Sequence, residues 1–432
     1  MTVETKDYLE IKEYAQKVGE PDWFTALRLK ALEALPQLTL PSFEKIKYQR
    51  WPIQLKGGAL KQRHSKPELL QQLSLKDAAH LVVQLGQETV TTKGLDLFEE
   101  QGVIICDWQT ALREHPTLVK KYFMKKAIKV DEDLLTAQHV AYLTSGLFVY
   151  IPKNTVLKDP LTSYFVQDAT EKQDYVHHVI IVAEENSEFS YLENLTTLGQ
   201  TETTANIIVE VIAGTNSHVK FASVDRLGRN TTTYLNRRGH LGTNAKIDWS
   251  MGGMMNDGNI VGDFDSDLVG DGSHSEVKVV AISTGNQVQG IDTRVTNSGK
   301  HTIGHILQHG VILSRSTLTF NGIGHIIKGA KGADAQQESR VLMLSTKAKG
   351  DANPILLIDD NDVTAGHAAS VGRVNQEQLY YLMSRGLPKK IAERLVIRGF
   401  LGPVLAEIPS QLIREQLKVT IERKLVDGQK DE

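Results

Sequence analysis

"ANIIVEVIAGTNSHVKFASVD", residues 205–225, is two alternating stretches hinged on the small polar turn Gly214-Thr215-Asn216-Ser217. Apolar residues at a period of two mark a β-strand with one buried face, and Gly, Thr, Asn and Ser favour turns. The same plan returns in "HHVIIVAEENSEFSYLEN" (177–194), "TYLNRRGHLGTNAKIDWSMG" (233–252) and "SDLVGDGSHSEVKVVAIS" (266–283). Asn186, Asn216, Asn244 and Gly272 mark equivalent turns, spaced by 30, 28 and 28 residues. A steady period of this size with strand content is the mark of a solenoid, whose coils cannot bury their apolar faces alone and must stack. Barrels and sandwiches also alternate, but they turn roughly every 8–12 residues. The spacing predicts a mainly β chain built on a parallel β-helix of flattened, two-sheet section.

Outside the repeat the period changes. Residues 1–150 read as a mostly helical region. "TKDYLEIKEYAQKVGE" (5–20) places Tyr8, Ile11 and Ala15 on one face and stops at Gly19 and Pro21. "PDWFTALRLKALEAL" (21–35), "HPTLVKKYFMKKA" (115–127) and "DEDLLTAQHVAYLTSG" (131–146) are further helices, with Pro- and Gly-rich extended chain between about 36 and 70. Residues 151–374 form the β-helix core. From 375 to 432 the pattern is helical again, with Leu379, Leu382 and Met383 at i, i+3 and i+4 and a break at Gly386 and Pro388.

Composition narrows the function classes. A chain of 432 residues is too long for one compact core. Its net charge of −3 lacks the basic surplus of a protein that coats nucleic acid. With 34 glycines and only 6% aromatic residues, it suits a turn-rich β architecture. The longest apolar runs, "HVIIVA" and "NPILLI", are strand-length and far short of a membrane span. The amino terminus MTVETKDYLE has neither the basic nor the apolar region of a secretory signal, so a cytoplasmic protein is expected. The single cysteine, Cys106, excludes an internal disulfide and a Cys-rich metal cage.

Few segments carry chemistry. His301, His305 and His309 in "HTIGHILQHGVI" are spaced by four. On a strand that spacing is about 13 Å, too far for one ion with bonds near ~2 Å. They read as polar strand residues, although histidines of neighbouring coils could meet across ~4.8 Å. "GIGHIIKGAKGA" (322–333) lacks the phosphate-loop pattern, because Ala330 stands where Lys is needed and no Ser or Thr follows Lys331. Its glycines read as solenoid corners. Met251, Met254 and Met255 read as flexible core filling, and Cys106, in the apolar run "GVIICDW", as a structural thiol. In "DDNDVTAGHAASVG" (359–372), Asp359, Asp360, Asn361 and Asp362 follow the apolar strand "NPILLI", so they fall at a corner. His367 follows on a strand of small residues that leaves room for a ligand or another backbone, and imidazole is a common metal ligand.

The stretch "ADAQQESRVLMLSTKAKGDANPILLIDDNDVTAGHAASVGRVNQEQLYYLMSRGLPKKIAERLVIRGFL" (333–401) resembles the carboxy-terminal signature of the SufB/SufD family of iron–sulfur cluster assembly scaffolds. "GEPDWFTALRLKALEALPQLTLP" (19–41) agrees more loosely. The resemblance implies a right-handed parallel β-helix flanked by helical regions. Having no cysteine after position 106, the chain resembles the D-type branch, because B-type members rely on cysteines. His367 then takes the place of a histidine at the junction with a B-type homologue, where an iron–sulfur cluster is bound transiently and with the partner subunit. Many relatives read Cys-Ser-His-Gly where this chain reads Ala365-Gly366-His367-Ala368. The loss of that thiol leaves imidazole as the soft-to-borderline donor. Asp359, Asp360 and Asp362 could line a route for iron. The resemblance further implies a SufC-type ABC ATPase on the tail, with Tyr380, Tyr381, Arg385, Gly386, Arg394, Arg398 and Phe400 as its docking surface. It implies no catalytic residue in this chain, no nucleic acid and no membrane, and it leaves a homodimer of the isolated chain open. The rival reading is a β-helix carbohydrate lyase or esterase, which needs a carboxylate- or Ca²⁺-bearing groove along one sheet.

Overall fold

The turn asparagines stack into a ladder. Asn154, Asn186, Asn216 and Asn244 adopt left-handed backbone, with φ between 52° and 60°, a region that Asn enters more readily than other side chains. Asn186 Nδ2 donates to Asn154 Oδ1 at 2.9 Å, Asn216 to Asn186 at 3.1 Å and Asn244 to Asn216 at 3.2 Å. Gly272 continues the row at φ 69°. A Cβ there would come within 2.4 Å of Asn244 Oδ1, so the ladder ends on the residue that has none.

The computed structural model describes residues 4–55, 58–73, 75, 78–254, 257–406 and 411–428. Successive strands alternate between a sheet of ten strands and a sheet of nine, giving a parallel solenoid of about eight turns. Thr203–Ala213, for example, lies in parallel register with Thr231–Leu241 one coil later. The β-helix begins ahead of position 151, the boundary read from the sequence. Ser145–Ile151 already pairs in parallel with Tyr175–Ala183, and His80–Leu85, inside the region read as helical, pairs with Leu161–Ala169. His80–Leu85 escapes a search for the repeat because helices and irregular chain separate it from its neighbour in the sheet.

Strict register turns each inward position into a column. One column runs Leu161, Tyr191, Phe221, Trp249, Val277, Ile306, Gln337, His367. Its first six members belong to one buried core cluster. Their aromatic rings pack at a tilt, with centroid distances of 5.4 Å (Tyr191–Phe221) and 4.9 Å (Phe221–Trp249). Mid-lumen, the fully buried Arg237 reaches across the two sheets to Glu193 (2.6 Å) and Asp225 (2.7 Å).

The two ends of the solenoid differ. At one end the antiparallel strands Glu88–Lys93 and Ile104–Asp107 terminate the sheets, and Phe98, Val103, Ile105 and Leu157 plug the lumen as part of its core. Cys106 lies on this terminal strand, and burial pushes its thiol up to about 12. At the other end the sheets stop at Lys349–Ile358 and Thr364–Arg373, with no further strand among the described residues.

Helical regions cover the outer faces. Helices Asp22–Ala34 and Leu134–Tyr142 pack with Val176, Ile180 and Ile208 of the nine-stranded sheet. The fully buried Arg28 binds Glu20 at 2.8 Å and donates to the carbonyls of Val140, Ala141 and Leu143, which satisfies the carboxy-terminal end of the second helix. A buried chain joins that helix to the sheet. Asn206 Oδ1 and His139 Nδ1 are 2.9 Å apart, His139 Nε2 and His178 Nδ1 3.0 Å, and His178 Nε2 and Glu210 Oε1 3.3 Å. The tail helices Lys389–Ala406 and Gln411–Gly428 lie on the ten-stranded sheet, seating Ile397, Leu401 and Leu417 on Val280, Ile282 and Val311. Gly252 lets this helix approach, since a Cβ there would lie 2.2 Å from Leu417.

Two outcomes are expected. Asn216→Ala loses two ladder hydrogen bonds and places alanine in left-handed backbone, so it destabilises by about 2 kcal/mol. Asn216→Gly costs about half of that, and the thermal midpoints of the two variants check the order. Burial lowers the His178 pKa to about 3, against about 6.5 in the unfolded chain. The unfolded state therefore takes up a proton that the folded state refuses, and stability falls as pH drops from 6.5 towards 3. The loss is on the order of 2 kcal/mol at pH 5. Burial raises Glu210 to about 8, which acts the other way: it makes stability fall as pH rises between about 4.5 and 8. On going from pH 7 to 5, the thermal midpoint of His178→Gln should therefore shift in the stabilising direction relative to that of the parent chain, by the equivalent of about 2 kcal/mol and whatever the offset between the two at pH 7.

Candidate functional site at the open end of the β-helix

The terminal strands present free backbone. Thr364 N donates to Ala333 O at 2.9 Å and Val374 N to Met343 O at 3.1 Å. Alternate residues of a parallel ladder turn both N–H and C=O to the same side. Ala365, His367, Ala369, Val371 and Arg373 therefore turn theirs away from the sheet. On Lys349–Ile358 the inward donors are Lys349, and Asp359 just beyond the strand. Pro354, which has no N–H, thus falls on the free side, where a strand tolerates it. Thr364–Arg373 carries no charged side chain before Arg373, so it lacks the usual guard against edge pairing.

His367 is the last member of the inward column, at the mouth of the lumen. Its side chain is exposed and has no hydrogen bond or ion pair among the described residues. The lumen beneath it has become polar. Gln337, its register partner, donates to Ile355 O at 2.8 Å; Gln308 donates to Thr293 Oγ1 at 2.8 Å and accepts from Ser339 Oγ at 2.8 Å.

The three aspartates fall at the corner, as their sequence predicts, and each contacts the preceding coil, Asp359 and Asp360 through the side chain and Asp362 through its backbone carbonyl. Asp360 accepts from Gly329 N at 2.9 Å and from Asp362 N at 3.2 Å, and these backbone donors lower its pKa. Asp359 Oδ2 is 3.4 Å from His325 Nε2, and Asp362 contributes its carbonyl to Gly332 N at 2.6 Å. Asp362 lies five residues before His367, up to about 16 Å along extended chain. Among the described residues, neither of the clusters able to hold a metal contains His367 or these aspartates.

One of those clusters is Asp263, Asp265 and Asp292. A polysaccharide lyase would need such carboxylates open in a groove. Here Arg238 occupies them, at 3.0 Å from Asp263 and 2.6 Å from Asp265, while Asn321 holds Asp292 at 2.6 Å and Glu44 O at 3.0 Å. Burial pushes Asp265 up to about 8 and Asp292 to about 6. The other cluster, His274, Glu276 and His305, was missed because its members come from two coils. Only the inter-coil register Glu276↔His305 exposes it. Of the other segments singled out, Gly329 and Gly332 are corner glycines (φ 99° and 72°), whereas Gly322 and Gly324 lie inside strand Thr317–Ile326. Met251 is buried in the lumen core; Met255 and the Met254 side chain lie outside the described residues.

The tail residues divide into two groups. Arg394 and Arg398 bind Glu422 of the next helix at 3.3 and 2.6 Å. Phe400 stacks on His309 (centroids 4.9 Å apart), and its carbonyl lies 3.0 Å from His309 Nδ1. These three hold the tail together and onto the sheet. Tyr380 and Tyr381 are 75% and 56% exposed on helix Gln376–Ser384. Arg385 lies over the Tyr381 ring at 5.1 Å, and Gly386 makes the left-handed exit from the helix (φ 90°). Of the tail residues expected to meet a partner, those left exposed and not tied to Glu422 are therefore at the Tyr380–Gly386 end.

Together these features define a parallel β-helix that is plugged at one end and bears a bare edge and an unpartnered imidazole at the other. Family models match nearly all of it: "SufBD protein N-terminal region" over residues 78–162, and "SUF system FeS cluster assembly, SufBD core domain" over residues 165–400. The chain is 44% identical to the iron–sulfur cluster assembly protein SufD of Bacillus subtilis, over 98% of this chain and all of that protein. SufBD family proteins of Staphylococcus haemolyticus and Staphylococcus aureus are each 26% identical, over 93% of this chain and 89% of theirs. The chain belongs to the SufBD family of the SUF system. No described helix is long and apolar enough to cross a membrane.

Truncation separates the two groups of tail residues. Phe400→Ala should destabilise by about 2 kcal/mol, less than for a fully buried ring. Tyr380→Ala should stay within about 0.5 kcal/mol. Thermal denaturation of the two variants checks this.

Proposed function

We propose that the chain is a SufD-type scaffold subunit, and not an enzyme, which pairs through the open end of its β-helix with a SufB-type homologue. The observation that carries this reading is the column that runs from Leu161 to His367. Six core residues are followed by a polar one and then by an exposed imidazole on an edge strand that is paired on one side only. This edge and that of Lys349–Ile358 can each extend its own sheet into a second solenoid by backbone hydrogen bonding, with the small side chains of Thr364–Arg373 offering no obstruction. Similarity to the Bacillus subtilis SufD supports the reading.

The iron–sulfur cluster is cargo in this scheme. His367 supplies one imidazole donor at the junction, and the thiolates come from the partner. Cys106 cannot serve, since it sits at the plugged end with its thiol held protonated. Asp359 and Asp362 offer hard oxygen donors beside the mouth to arriving iron, with Asp360 fixing the corner. A SufC-type ABC ATPase docks on the exposed Tyr380, Tyr381, Arg385 and Gly386 end of the tail, whose aromatic and Arg side chains suit an interface anchor. Arg394, Arg398 and Phe400 transmit load to the sheet.

The test is anaerobic co-expression with B-type and C-type partners. His367→Ala should leave the complex intact on gel filtration while its cluster absorbance falls at least tenfold. A fully loaded variant complex would sink the role of His367. Ala369→Pro removes an outward N–H without touching the internal ladder and should weaken pairing; unchanged pairing would count against the edge-to-edge junction.

A further inference from the structure

The ten-stranded sheet carries a second cluster on its outer face, on the third and fourth rungs from the open end. His274 and Glu276 stand on one strand, His274–Ser283, two residues apart and so on the same face. His305, on the neighbouring strand Ile303–Ile312, is directly opposite Glu276 in the register. His274 Nε2 lies 2.8 Å from Glu276 Oε1, and His305 Nδ1 lies 3.1 Å from the same oxygen. All three donor atoms lie within 4.8 Å of one another.

From this geometry we infer a binding site for a borderline divalent cation of the Zn²⁺ type, held by His274 Nε2, Glu276 Oε1 and His305 Nδ1, with water in the open position. Tetrahedral zinc with bonds of ~2.0–2.1 Å has ligand–ligand edges of about 3.3 Å. The two observed contacts need to open by only a few tenths of an ångström to admit the ion. Two imidazoles and one carboxylate select Zn²⁺ or a neighbouring transition ion over Mg²⁺ and Ca²⁺, which prefer oxygen alone.

The surroundings match those of a ligand set. His305 turns its other nitrogen, Nε2, towards Asp334 Oδ2 on the next rung, 3.5 Å away. Metal-ligating histidines commonly donate to a carboxylate in this way, which fixes ring and tautomer. Asp334 is itself held by Gln336 Nε2 at 2.8 Å. Lys278 Nζ lies 3.7 Å from Glu276 Oε2, the carboxylate oxygen that the ion does not use. All three ligand side chains are about one quarter to one third exposed, so the ion enters from solvent without unfolding a rung. The ion would staple two coils beside the place where His309 and Val280 seat the tail.

The test uses the full chain without a histidine tag, stripped with chelator and titrated with Zn²⁺ by calorimetry and with Co²⁺ by visible absorption. One equivalent should bind and raise the thermal midpoint, with Co²⁺ giving the d–d bands of a low-coordinate nitrogen and oxygen site. His305→Ala and Glu276→Gln should lose at least a hundredfold in affinity. Asp334→Asn, which keeps all three ligands and guards against a folding artefact, should lose ten- to a hundredfold. His367→Ala should bind as the parent does. No stoichiometric binding, equal binding of Mg²⁺, full affinity in His305→Ala, or loss of the ion in His367→Ala would each overturn the site.

Discussion

The structure depends on vertical register between coils. A single coil has an apolar inner face but nothing within itself to bury that face against, so it gains stability only from the coil above and the coil below. Register makes the gain specific, because a slip by one residue would turn every inward side chain outward. Two devices hold it. At the corner, Asn154, Asn186, Asn216 and Asn244 share one backbone conformation and hydrogen-bond one to the next. In the lumen, Tyr191, Phe221 and Trp249 pack ring against ring, each tilted on the next.

An array of this kind has two ends, and each needs a solution. The plug of Phe98, Val103, Ile105 and Leu157 closes one end with apolar side chains and antiparallel strands. The other end has no such closure among the described residues, and the inner column changes chemistry as it nears the opening, from Ile306 through Gln337 to His367. An apolar residue there would stand in water, whereas an imidazole tolerates both water and burial against a second chain. The outer faces follow the same logic. On the same strands, the positions carrying Val280, Ile282 and Val311 take the tail, while those carrying His274, Glu276 and His305, with Asp334 on the next strand, remain polar and partly exposed.

Much of this was legible in the sequence, for a physical reason. Turn residues that adopt left-handed backbone and strands that bury one face are local properties, so the period of 30, 28 and 28 residues announced the β-helix and the 359–362 corner. The early rung His80–Leu85 was not legible, because its parallel neighbour Leu161–Ala169 is distant in the chain, whereas Ser145–Ile151 lies one ordinary period ahead of Tyr175–Ala183 and was within reach of the same repeat. The division of the tail was hidden too. Arg394 and Tyr380 look equally suited to a partner in sequence, and only the position of Glu422 on the next helix tells them apart.

Sequence by itself determined the repeat, the corners, the lone imidazole on a strand of small residues and the family signature around it. These depend on residue type and spacing over a few tens of residues. Only the tertiary structure decided that His367 ends a core column, that its strand is a free edge, and that His274, Glu276 and His305 converge. Those facts belong to neighbours about thirty residues apart in the chain and one strand spacing apart in space, and the stacking of coils alone brings them together.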